Sequence, residues 1–185
     1  MTADIDIDDV YVGRAASTAE TGVAQTWARL PKEYELVAGG ARAFFEEPGN
    51  SGVGYAGALL LASSPLLSGT GIPHGWYASA TDHMITSPVA VEAFAMGINR
   101  DVLRAHKLLV VFDSELGAVA NHASAERTLE RWISPDRSNG VVVGGGVEPR
   151  GTLGGNFLTS SWPITDWSNA IGWRGKAKIT TYRRH

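Results

Sequence analysis

The adjacent pair Asp82-His83 is the most chemically capable constellation in the chain. A carboxylate beside an imidazole can orient the ring as a general base, so these two residues are the candidates for catalysis. Within a strand, however, neighbouring side chains point to opposite faces and would not bond each other. Asp82 also suits a turn closed on its own backbone. The serines at Ser63-Ser64 and Ser160-Ser161 sit in no Gly-x-Ser-x-Gly elbow, so no hydrolase nucleophile is expected there. His74, His106, His122 and His185 are scattered without a His-x-His or His-x-x-x-His spacing, and no metal site is expected. Asp4, Asp6 and Asp8 lack the glycine and later glutamate of a calcium loop. The chain has 0 cysteines, which removes disulfides, thiolate ligands and a thiol nucleophile.

Two glycine features invite a phosphate reading. The string Gly52-Val53-Gly54-Tyr55-Ala56-Gly57 matches the spacing of a dinucleotide-binding loop. That chemistry needs a helix after the glycines. The following residues instead align with Thr159-Ser160-Ser161-Trp162-Pro163, which is poor helix material, so no cofactor is expected. Gly39-Gly40 and Gly144-Gly145-Gly146 could form a nest for an anion. With no basic or nucleophilic residue beside them, they read better as bulges, or as places where a backbone or an aromatic ring packs closely.

Aromatic residues carry the remaining signal. The 6 tryptophans include three between Trp162 and Trp173, beside Asp166, Ser168 and Asn169. Flat rings next to Asp and Asn suit sugars, because the ring packs on C–H faces while polar groups bond hydroxyls. On this reading the ligand site takes Trp76, Tyr77, Asp82 and His83 from the first half. It takes Trp162, Asp166, Trp167, Asn169 and Trp173 from the second, in loops that follow Pro65 and Pro163. The competing reading has tryptophans filling a glycine-rich β core, where large rings cover glycine gaps.

The elements that must hold these residues are mostly strands, and they come in two sets. Gly57 to Pro65 aligns without a gap on Gly155 to Pro163, Val37-Ala38-Gly39-Gly40-Ala41 on Val142-Val143-Gly144-Gly145-Gly146, and Gly22-Val23-Ala24 on Ala118-Val119-Ala120. The order Val-x-Gly-Gly-Gly, then Gly-Asn-Phe-Leu-Thr-Ser-Ser-Trp-Pro, then Trp, then Asp-His resembles a Gly-rich repeat module of bacterial proteins with no assigned function. The second copy lacks the Asp-His part: Arg174-Gly175-Lys176 follows Trp173. The resemblance implies a β fold and carries no activity. The copies lie about a hundred residues apart, which is too far for a solenoid. The expected architecture is all-β: two tandem-duplicated antiparallel modules packed with pseudo-twofold symmetry as a sandwich, prism or barrel.

Val/Ile/aromatic-rich runs bounded by Gly, Pro, Asn or Asp place strands at 36–45, 58–63, 75–80, 89–98, 107–112, 140–147, 157–162 and 170–181. Asn99 could cap a helical turn at 99–104. Segment 124–132 reads as extended by comparison with 24–30. Glu46 to Gly54 reads as a loop. The alternating Asp4-Ile5-Asp6-Ile7-Asp8 and Arg174-Gly175-Lys176-Ala177-Lys178 suggest that oppositely charged terminal strands pair and close a sheet. As one compact unit, 1–185 divides into an N-terminal strand (1–18), a first repeat (19–100), a connecting strand (101–114) and a second repeat (115–185).

Composition bounds the partners. Charged residues are 19% with a net charge of −3, so no nucleic-acid footprint is expected. No apolar run approaches a membrane span. The N-terminus lacks the basic start and apolar stretch of a secretory signal, so the cytoplasm is the default and non-classical export stays open. The leading expectation is a lectin-like, non-enzymatic protein that binds carbohydrate or another small molecule, uses no cofactor, and is free to form homo-oligomers. The alternatives are a small metabolite enzyme using Asp82 and His83, and a structural or assembly module.

Overall fold

A computed structural model describes residues 7–47, 50–54, 58–82, 88–112, 126–132, 142–148, 156–166 and 169–179. Among these, a short 3-10 turn, Ile7–Asp9, precedes β1 (Val10–Ala16), β2 (Val23–Arg29), β3 (Tyr34–Glu47), β4 (Asn50–Gly54), β5 (Ala58–Leu67), β6 (Pro73–Asp82) and β7 (Val89–Asn99). One helical turn, α1 (Arg100–Ala105), separates them from β8 (Glu126–Trp132), β9 (Asn156–Asp166) and β10 (Asn169–Ile179). Period-two burial explains the strands. In β2, Ala24, Thr26 and Ala28 are buried while Val23, Gln25, Trp27 and Arg29 are exposed.

The strands form three antiparallel sheets. Sheet one has the order β1-β7-β3-β4, sheet two β2-β6-β5 and sheet three β8-β10-β9. None of the three closes into a barrel. Sheets one and two share one buried layer, in which Ala24, Ala28, Ala78 and Ala80 meet Leu36, Val89, Val91, Ala93 and Ala95. Almost all of these side chains are small, so the two sheets approach closely. The one large ring in the layer is Trp76.

Several expectations need correction. Lys107–Phe112 is not a strand. Asn99 accepts a hydrogen bond from the Asp101 amide (2.9 Å) and starts α1, as its capping chemistry suggests. Lys107 then takes a left-handed conformation (φ 55°). Leu108 N–H bonds back to Leu103 C=O (2.8 Å), a helix ending that leaves the next residues outside any ladder. Glu46 to Gly54 is not a long loop: β4 folds back on β3, with Phe45 opposite Gly54 and Glu47 opposite Asn50. Nor do the termini pair. β1 borders β7, and β10 has both edges filled by β8 and β9. The alternation at Arg174–Ile179 is that of a central strand, and Ile7–Asp9 belongs to a turn. Asp4 to Asp6 lie outside the described residues.

Sheets two and three correspond in detail. Pro65 stands opposite Trp76 and Pro163 opposite Trp173. Each hairpin has a bulge at the same place, between Leu60 and Ala62 in one and between Leu158 and Ser160 in the other, so Leu61 matches Thr159. Trp76 Nε1 donates to Ser63 Oγ at 2.9 Å, and Trp173 Nε1 to Ser161 Oγ at 2.9 Å. Against each ring lies a glycine: a β-carbon on Gly39 would collide with the Trp76 ring, and one on Gly145 with the Trp173 ring. Packing therefore matches Gly39 with Gly145, one residue away from the ungapped sequence alignment. The strand beside β10 is likewise Glu126–Trp132, whereas Ala118 to Ala120 lie outside the described residues.

The 142–148 segment is not the strand expected there. It makes one bridge, in which Ser63 and Val147 exchange backbone hydrogen bonds at 3.0 and 2.6 Å. Its glycines let it pass between the two halves. A β-carbon on Gly144 would lie 2.8 Å from Val37 C=O, and one on Gly146 would lie 2.7 Å from Ser64 Cα and 3.0 Å from Trp76 Cζ2.

These contacts set an expected order for alanine substitutions. Gly39→Ala and Gly145→Ala force a ring off its seat and should each cost about 1–3 kcal/mol in urea unfolding. Gly40→Ala meets nothing within 4 Å and should change stability by less than about 0.5 kcal/mol. Equal effects at Gly39 and Gly40 would remove the ring as the reason for the glycine.

Candidate functional site

The sequence-selected residues separate in space. Trp76 is only 2% exposed, with its indole N–H bonded to Ser63, so its ring belongs to the core and to no surface that a ligand reaches. Trp173 is half-buried on Gly145. Tyr77 follows Trp76 in β6 and faces the other way. Asp82 ends β6 opposite Ala58, where it accepts a hydrogen bond from Thr81 Oγ1 at 3.3 Å. His83 and Trp167 lie outside the described residues. Trp162 pairs in register with Arg174, one row from the Pro163–Trp173 row, and Asp166 stands opposite Asn169 at the hairpin end. The tryptophan reading that places rings over glycine gaps is what Trp76 and Trp173 do.

The loop after Pro65 has spent its polar groups on itself. Ser68 Oγ bonds Thr70 Oγ1 at 2.9 Å and accepts the Ile72 amide at 3.1 Å. Gly71, at φ +79°, supplies the left-handed residue that closes the turn.

The outward face of sheet two carries a grouping that the sequence reading missed. Trp27, 47% exposed on the edge strand β2, stands directly opposite Tyr77 on β6. Tyr77 OH donates to Gln25 Oε1 at 3.3 Å. Arg29, also exposed, lies on the same face one step along β2, opposite Gly75; Gln25 lies opposite Ser79. Gly75 and Ser79 flank Tyr77 on its own strand. Gly75 and Ser79 are themselves buried, so the groups this row offers to solvent are Trp27, Gln25, Arg29 and the half-buried Tyr77. The signal was present in Val23-Ala24-Gln25-Thr26-Trp27-Ala28-Arg29. Alanines at every second or fourth place mark the inner face and put Trp27 on the outer one.

Sheet three does not repeat this row. Where sheet two has Ser64, Tyr77 and Trp27 in register, sheet three has Trp162, Arg174 and Glu130.

A second polar grouping lies on the outer face of sheet one. Glu92 on β7 is 1% exposed, yet it is charged-paired on both sides. Arg14 Nε on β1 donates to its Oε1, and Arg42 Nε on β3 donates to its Oε2 at 2.6 Å. The two arginine side chains are 64% and 60% exposed. Each guanidinium lies over a phenylalanine, Arg14 over Phe94 at 5.9 Å and Arg42 over Phe44 at 5.7 Å. The two arginines compensate the burial of the carboxylate, and the rings hold the arginines in place.

Among the described residues, no three His, Asp or Glu side chains converge as a metal set. No described helix is long and apolar enough to cross a membrane. No protein family, curated protein or solved structure matches the chain.

Either arginine can keep Glu92 partnered when the other is lost. Arg14→Met and Arg42→Met should each cost less than about 1 kcal/mol, since both side chains are largely in water. The double variant should cost about 3 kcal/mol, because it leaves a buried carboxylate alone. A urea double-mutant cycle reads the coupling, and strict additivity would show that Glu92 does not depend on the pair.

Proposed function

We propose that this chain is a carbohydrate-binding protein that works without catalysis, and that its recognition surface is the outer face of sheet two. The observation that carries the reading is the Trp27–Tyr77 cross-strand pair with Gln25 held beside it. Aromatic rings pack on the C–H faces of a pyranose, and an amide oxygen, a phenol and a guanidinium bond its hydroxyls. Such a platform needs a rigid support. Tyr77 has one, because its neighbour Trp76 is locked into the core and bonded to Ser63. The site thus keeps Tyr77 from the sequence-based set and replaces Trp76 by Trp27.

The proposal extends to architecture. The chain holds two descendants of one Gly-rich β module, as its sequence resemblance implies, and the shared strand order, bulge and Trp–Ser–Gly unit of sheets two and three support this. The first descendant is a pair of facing sheets. The second keeps the scaffold but has Trp162, Arg174 and Glu130 in register where the first has Ser64, Tyr77 and Trp27, so one sugar site is expected where the duplicated motif suggested two.

Titration of tryptophan emission against a panel of neutral and acidic oligosaccharides tests the binding. Trp27→Ala should weaken the best ligand at least about tenfold, some 1.4 kcal/mol, and leave the melting temperature nearly unchanged, since the ring is exposed. A panel without any binder, or a Trp27→Ala protein with unaltered affinity, ends the proposal.

A further inference from the structure

Two neighbouring rows on the outer face of sheet one place cations, an aromatic ring and open space together. One row reads Ala16, Glu92 and Arg42 across β1, β7 and β3, and the next reads Arg14, Phe94 and Gly40. A buried carboxylate needs compensation, and an apolar side chain in the same place would need none. What Glu92 adds is a hold on the two arginines. A surface arginine ordinarily moves among many rotamers. Here Arg14 Nε and Arg42 Nε are both tied to Glu92, and each guanidinium also lies over a ring, Phe94 or Phe44.

The tied arginines are not used up. Two guanidiniums carry about ten N–H donors and one carboxylate accepts about four, so most of the donors are left for water or a ligand. Both side chains are exposed, and two positive charges stand against one negative. Beside them the sheet is open. Gly40 stands opposite Phe94, and a β-carbon on it would meet nothing within 4 Å. The half-buried Phe94 ring therefore has Arg14 on one side of its row and no side chain on the other.

We propose that Arg14, Arg42, Phe94 and Gly40 form a binding site for a phosphate or sulfate ester of a small ring-bearing molecule. The ester group bridges the two guanidiniums through charge-assisted hydrogen bonds. Its three terminal oxygens can be held from two sides, whereas a carboxylate offers one planar pair that a single guanidinium satisfies. The ring lies over Gly40, where no side chain has to be displaced, and packs against Phe94. Glu92 holds the cations before the ligand arrives, so little side-chain freedom is lost on binding. The site shares no residue with the Trp27–Tyr77 platform. Sheets one and two meet through their inner faces, so the two sites open on opposite sides and fail independently.

The test is proton–nitrogen NMR of the full chain, following the arginine Nε–H signals and the Gly40 amide. The probes are phenyl phosphate, phenyl sulfate and benzoate; the two esters tell phosphate from sulfate chemistry. At least one ester should give saturable shifts at Arg14, Arg42 and Gly40 with a dissociation constant below about 1 mM, and benzoate should bind at least about tenfold more weakly. Arg14→Lys and Arg42→Lys keep the charge and lose the planar fork, so each should weaken the ester about fivefold or more. Glu92→Gln separates positioning from charge. It makes the rows more positive, so attraction by charge alone would tighten binding, whereas loss of the tether should weaken it at least about threefold. If Glu92→Gln does not fold, the two lysine variants, which alter exposed side chains, decide the matter. An absence of shifts up to about 10 mM of either ester overturns the proposal. So do equal binding of benzoate, unaltered affinity in both lysine variants, and tighter binding by a folded Glu92→Gln.

Discussion

A tryptophan ring packed against a glycine is the contact on which the rest of this fold depends. It occurs as Trp76 on Gly39 and as Trp173 on Gly145, each with its indole N–H fixed by a serine hydroxyl. The ring contributes a large apolar area in a layer otherwise built of alanine and valine. The missing β-carbon lets it sit against the backbone, and the serine bond sets its orientation and satisfies a buried donor. Any side chain at the glycine would lift the ring and part the layers. Gly146 continues the arrangement, since it lets the 142–148 segment reach the edge of the Trp76 ring and the backbone of Ser63 together.

A core of small side chains has consequences for the surface. Closely spaced sheets leave little interior volume for chemistry, so distinctive groups stand on outer faces. On sheet one, the Arg14–Glu92–Arg42 row holds a buried carboxylate between two largely exposed cations. Its geometry stabilises the centre of the sheet as soon as β1, β7 and β3 come together, because Glu92 lies on the middle strand of the three. On sheet two, the same alternation that sends Ala24 and Ala28 inward sends Trp27 outward.

Sheets two and three share a strand order and a Trp–Ser–Gly contact and differ in how they are covered. β3, β7 and Trp76 make a closed layer in the first. In the second, Trp173 keeps part of its surface in solvent under a segment with a single bridge.

Period-two patterns and turn residues made β3, β5, β6, β7, β9 and β10 legible from the residues alone, together with the Asn99 cap and the repeated Ser-x-Pro step at Ser63–Pro65 and Ser161–Pro163. Those features are local, and each is decided by side-chain alternation or by one capping hydrogen bond. Register and pairing were not legible. The match of Gly39 with Gly145, the hairpin formed by β3 and β4, and the central place of β10 depend on which ring or strand arrives from far along the chain. Lys107 stopped a plausible strand through a left-handed turn that no apolar count shows. Trp76 and Tyr77 are neighbours in sequence, and only the packing of sheet one against sheet two decided that the first is core and the second surface. The sequence by itself determined that this protein is built of strands, since alternation and propensity are local, and it left open whether its tryptophans cover glycines or face a ligand. Tertiary structure alone decided which aromatic faces outward, because that choice belongs to whichever face of a sheet finds a partner.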